Sequence, residues 1–135
     1  MYMESTAALR SMKTLFVAGA LAAVTGRATW AAQKKGRIQE IEMSLGLTGS
    51  VSGSTTIDVK KNGTSILVGT PLTIAQGSAT KFVRSAALVL GPAGGGEPSG
   101  VDYVEGDVFT VDITAVPGTT STDLTVDFLE INKNV

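Results

Sequence analysis

Three aspartates, Asp58, Asp112 and Asp127, occupy outward positions on alternating segments of the chain. Carboxylates so placed could act as paired acid and base groups or as calcium ligands. Glycosidase-type chemistry needs two carboxyls in one cleft with split pKa values, and no spacing in the sequence shows such a cleft. The plainer reading is a solvated strand face. Asp102, Glu105 and Asp107 cluster at a turn but lack the ligand spacing of a calcium loop. Ser50, Ser52 and Ser54 have no visible activating base, because the chain has no histidine and no Ser-x-x-Lys motif. Gly91-Pro92-Ala93-Gly94-Gly95-Gly96 is not followed by Gly-Lys-Ser/Thr, so it does not read as a phosphate loop. The absence of cysteine excludes disulfides and thiolate metal sites. The expectation is therefore a chain with no catalytic residues, no metal and no cofactor.

Charge points the same way. Eleven Lys and Arg face twelve Asp and Glu, which gives no basic excess for a nucleic acid. Only 17% of the residues are charged, against about a quarter in an average soluble domain. That shortfall suggests surface covered by other subunits. Lys34, Lys35 and Arg37 form a small basic cluster, either a turn kept soluble or a contact to an acidic neighbour. Trp30, Tyr2 and Tyr103 are too scattered for a sugar or base platform, and a core or interface role suits them better.

The elements that would position these groups are strands. Thr55, Ile57 and Val59 share one face, and Thr56, Asp58 and Lys60 share the other. Asn62-Gly63 supplies the two positive φ angles of a type I′ hairpin. Phe109, Val111, Ile113 and Ala115 alternate in the same way, as do Leu124, Val126 and Phe128. Further strands are expected over 15–17, 23–32, 37–47, 79–90 and 123–131, with an edge segment over 71–75 headed by Pro71. Within 37–47, Ile41, Met43, Leu45 and Leu47 should face inward. Gly26 suggests a bulge or a close contact. Phe82 is the largest side chain of 79–90, and 91–100 reads as a flexible loop. The fold class is all-β: a single antiparallel sandwich, jelly-roll-like, with about eight strands.

Residues 1–30 read as an N-terminal arm with the first short strands, and 31–135 as the sandwich. A short helix is possible over 5–13. Met12 to Val24 resembles the basic and apolar regions of a signal peptide, with small residues near Ala32. Eleven residues, Glu4 and Arg10 among them, precede it, so an ordered arm is the adopted reading. The apolar run is too short to span a bilayer. Leu9, Met12, Leu15, Phe16 and Val17 are the apolar anchors by which such an arm would pack on a neighbouring subunit or shell.

Three stretches resemble a family of small β-sandwich minor virion proteins of tailed bacteriophages. They are Ile57-Asp58-Val59-Lys60-Lys61-Asn62-Gly63-Thr64-Ser65-Ile66, Gly106-Asp107-Val108-Phe109-Thr110-Val111-Asp112 and Asp123-Leu124-Thr125-Val126. The resemblance covers roughly residues 36–131. It implies a non-enzymatic capsid decoration or cement protein on the virion surface. Its partners would be the major capsid protein and copies of itself, as a trimer, with no nucleic acid and no membrane. The alternative is a secreted or virion-borne carbohydrate-binding or adhesive sandwich.

Overall fold

The structure, a computed structural model, describes residues 9–67, 71–85 and 100–132. Its strands are β1 (Leu9–Ala20), β2 (Val24–Ala31), β3 (Gly36–Leu47), β4 (Ser54–Lys61), β5 (Thr64–Ser65), β6 (Leu72–Ala75), β7 (Phe82–Arg84), β8 (Val101–Tyr103), β9 (Val108–Ala115) and β10 (Thr122–Asn132). They form two antiparallel sheets. The first runs β1-β10-β3-β7, with β8 also on β3; the second runs β2-β9-β4-β5, with β6 also on β4.

The pairings are nested. The first strand pairs with the last, the second with the ninth, the third with β7 and β8, and the fourth with β5 and β6. The chain is thus a long antiparallel ribbon folded over on itself, with successive ribbon segments in opposite sheets. That is the double Greek key of a jelly roll. The innermost turn of the ribbon is Asn62-Gly63, which joins Lys61 to Thr64 with φ of 49° and 87°. Both angles lie in the region a type I′ turn requires.

Alternation fills the space between the sheets. Ile57 and Val59, Phe109, Val111 and Ile113, and Leu124, Val126 and Phe128 are all buried. At one end Trp30 stacks on Phe109 at 4.6 Å, and Tyr103 and Phe128 meet it edge-on. Thr55 is also fully buried, and its hydroxyl is satisfied by Ser121 at 2.5 Å. Ile38 and Ile41 are both buried although three positions apart. Gln39 is the reason: the register passes from Leu129–Glu40 to Glu130–Ile38, so Gln39 is an extra residue that resets the pleat.

Several expectations change here. From Leu9 onward the expected arm is part of its own sandwich: β1 pairs with β10 from Leu9–Asn132 to Leu15–Val126 and beyond, and β2 pairs with β9. A helix over 5–13 is overruled from Leu9 by the same pairing; residues 5–8 lie outside the described residues, as does Tyr2. The cross-strand ladder and the burial of Val17 outweigh any local helical preference. The strand expected over 79–90 is formed at Phe82–Arg84, and 86–90 and the loop 91–99 lie outside the described residues. Leu47, expected to face inward, is exposed at the sheet end, and Phe82 is exposed as well. The edge segment near Pro71 is present as β6, which among the described residues pairs only with β4.

A Cβ placed on Gly63 would meet no atom within 4 Å. Replacing Gly63 by Val should therefore cost only the positive-φ strain, about 1–2 kcal/mol. Equilibrium urea unfolding checks this, with an unchanged m-value expected.

Candidate functional site

Asp58 and Asp112 lie directly opposite each other on β4 and β9, on the outer face of the second sheet. Asp127 is on β10, in the other sheet, so the three candidate carboxylates do not converge. Two facing carboxylates repel unless neutralised, and here each is held. Asp112 is almost fully buried. Its Oδ2 accepts from Lys60 Nζ at 2.8 Å, and its Oδ1 accepts from the Gly26 N–H at 2.6 Å. Asp58 Oδ1 accepts from Ser65 Oγ at 2.6 Å.

The Gly26 contact depends on the irregularity expected there. Between Val24–Ile113 and Ala28–Val111, β2 carries two more residues than β9. Gly26 takes φ of +67° within this bulge, which a residue with a Cβ adopts only with strain. The bulge lifts β2 away and leaves an open depression of about 400 Å³ lined by Val24, Thr25, Asp58, Lys60, Asp112 and Thr114. Burial alone would push the Asp112 carboxyl up, but the Lys60 ammonium and the Gly26 N–H together hold it below its ordinary value. A general acid needs the opposite shift. The arrangement ties β2 to β9 and keeps Asp112 ionised.

The outer face of the first sheet is broader. One row across β1, β10, β3 and β7 is Phe16, Thr125, Ser44 and Phe82; the next is Thr14, Asp127, Glu42 and Arg84. Met12, Leu129 and Glu40 follow on β1, β10 and β3. Phe16 is 60% exposed, Met12 54% and Phe82 41%. The acidic residues between them share Arg84, whose nitrogens stand 3.8 Å from Glu40 and 3.5 Å from Glu42. Thr14 donates to Asp127 at 2.6 Å. Burial, then the hydrogen bond shared with Glu40, push the Glu42 carboxyl above its ordinary value, with Arg84 opposing.

The arm anchors therefore divide. Val17 is in the core and Leu15 packs against it, while Met12 and Phe16 point outward. Leu9 sits at the start of β1, and its side chain lies outside the described residues. Asn62 does more than turn the chain. Its amide donates to Asp107 and its carbonyl accepts from the Val108 N–H, both at 2.9 Å. Asp107 is held below its ordinary value by the Val104 N–H and then by Asn62. The acidic turn group is thus structural: Asp107 caps the turn, and Asp102 holds Arg37 through Oδ1 and Oδ2 at 2.9 and 3.3 Å. For Arg37 the acidic neighbour is in the same chain. No group of three potential metal-ligating residues is present among the described residues.

Two inward polar groups were not singled out in the sequence. Glu130 is buried, accepting from Ser11 Oγ at 2.9 Å and from the Tyr103 hydroxyl. Burial, then this carboxylate, push the Tyr103 phenol up. Lys13 reaches inward with its ammonium 5.4 Å from the Trp30 ring centre. Their signal was a charged residue in phase with apolar neighbours, Glu130 following Leu124, Val126 and Phe128. Comparison with known protein families and with characterised proteins finds no match.

The depressed Asp112 value fixes a sign. The unfolded chain takes up the proton first, so stability from Asp112 is full above the ordinary value and is lost as pH falls through the folded one. In urea unfolding, the wild-type advantage over Asp112→Asn should be largest at neutral pH and shrink below about pH 4. Glu42 has the opposite sign. Its raised folded value makes its charged form a cost at neutral pH, so Glu42→Gln should leave stability equal or slightly higher at pH 7 and lose that benefit near pH 4.

Proposed function

We propose that this chain is a non-enzymatic structural protein of a bacteriophage virion, a decoration or cement protein that binds the capsid surface and its own copies. The observation that carries the reading is the outer face of the first sheet. It sets Met12, Phe16 and Phe82 in the open beside Glu40, Glu42 and Asp127. Met12 and Phe16 stand on one edge strand of this face and Phe82 on the other, and apolar side chains left in the open on one face mark a contact surface. The virion assignment is supported by the resemblance of the β4–β5 hairpin, β9 and the start of β10 to small phage sandwich proteins.

On this reading the major capsid protein takes the apolar and acidic face. Cementing follows from binding several shell subunits at once, because each added contact raises the free energy of separating them. The sugar-binding alternative draws less support, since Trp30 and Tyr103 are spent in the core and the exposed rings of Phe16 and Phe82 stand apart, with Thr125 and Ser44 between them.

Particles purified from the source phage should contain the chain in a fixed ratio to the major capsid protein. Shells lacking it should take up the purified chain to saturation and withstand higher temperature afterwards. Phe16→Glu should lower occupancy at least tenfold. Absence of the chain from purified particles, together with no uptake by such shells, overturns the proposal.

A further inference from the structure

Among the described residues the two sheets have four edges, and three carry a device against pairing with another chain along their length. On one side, β7 and β8 have three residues each. In the second sheet, β5 has two residues and β6 four, and β2 is broken by its two-residue bulge. Short strands and bulges are how sheet edges are kept from pairing. β1 differs. It has 12 residues, contains no proline, and keeps one-to-one register with β10 from Leu9 to Val17, its single bulge lying at the far end, between Val17 and Ala20. Among the described residues only β10 pairs with it, so the far side of its backbone offers a row of N–H and C=O groups.

We infer that two copies of this chain join antiparallel through β1, across a two-fold axis at Thr14, so that their first sheets become one continuous sheet. The strand itself selects this register. Residues directly opposite in an antiparallel pair point to the same face, so a two-fold axis must pass through a residue and not between two. With Thr14 on the axis, the exposed Met12 of each copy faces the exposed Phe16 of the other. The contact is made twice and joins a thioether to an aromatic ring. Arg10 then falls opposite Ala18 and Lys13 opposite Leu15, so no two like charges meet. An axis at Lys13 would set two cations face to face. An axis at Leu15 would put Phe16 opposite Thr14 and Met12 opposite Ala18, leaving the apolar pairs apart.

The area limits the strength. Residues 10–18 span about 30 Å, and a strip about 10 Å deep along them covers roughly 300 Å² on each copy. β2 edges the second sheet on the same flank, where Lys13 reaches the Trp30 ring. Including β2 brings the total to roughly 1,200 Å², the lower limit for a stable specific interface. The dimer should therefore be reversible, dissociating on dilution through the micromolar range. It takes the place of the three-fold association expected from the resemblance. It is also a property of the purified chain, so it stands or fails separately from the virion reading.

Sedimentation velocity on the full chain, over a concentration series from about 1 to 500 μM, tests it. The wild type should pass from monomer to dimer. Met12→Glu and Phe16→Lys, both at exposed positions, should each weaken the dimer at least tenfold with an unchanged circular dichroism spectrum. The double variant M12E/F16K should regain it, because the new carboxylate at position 12 faces the new ammonium at position 16 of the second copy. The reversed pair M12K/F16E should behave alike. A wild type that stays monomeric throughout overturns the proposal. So does one that dimerises only after residues 1–8 are deleted, since its own chain would then cover the edge. Single variants that dimerise like the wild type, or double variants that fail to recover, overturn it as well.

Discussion

Pairing between strands far apart in the chain holds this molecule together. β10 lies between β1 and β3, and β9 lies between β2 and β4, so the last quarter of the sequence supplies the middle of both sheets. Register there is strict because it decides what is buried. Shifting β10 by one residue would move Leu124, Val126 and Phe128 out of the core and bring Thr125, Asp127 and Leu129 into it. The same dependence makes folding non-local. Closing a loop between the first and last strands costs entropy before any contact is gained, which is a recipe for slow folding.

Polar side chains reinforce the joins where the ribbon segments come together. Asp112 holds the bulge of β2 through Gly26. Asn62 holds the innermost hairpin to Asp107 and Val108 at the entry to β9. Glu130 joins Ser11 of β1 to Tyr103 of β8. Each joins residues distant in sequence, and Asp112 and Asp107 accept as carboxylates held in their ionised form, the stronger kind of bond. Carboxylates that looked available for chemistry are engaged in fixing strands. Among the described residues, the surfaces left open to other molecules include the outer face of the first sheet and the far side of β1.

The fold class was legible because a half-buried strand writes its burial in a period of two. Ile57 and Val59 against Asp58 and Lys60, and the Asn62-Gly63 turn, required no knowledge of any partner strand. Gly26 was legible as a bulge for a similar local reason. β1 was not legible. Its inward positions include Ser11 and Lys13, and its outward ones Met12 and Phe16, so hydropathy alternates the wrong way until Leu15 and Val17. The inward polar groups make sense only beside Glu130 and Trp30, which belong to other strands. The opposition of Asp58 and Asp112 was hidden likewise, since register between β4 and β9 is a tertiary fact. The Gln39 bulge, which buries both Ile38 and Ile41, leaves no mark in composition.

This sandwich is proposed to act through its surfaces, the β1 edge among them. Hydrogen exchange of the β1 amides, read by mass spectrometry in dilute and in concentrated solution, tests it most directly. Amides on a free edge exchange quickly, and those in a ladder exchange slowly. About half of the β1 amides, those facing away from β10, should be fast when dilute and become protected when concentrated, while β9 and β10 stay protected throughout. Equal protection of β1 at both concentrations, whether high or low, would contradict it.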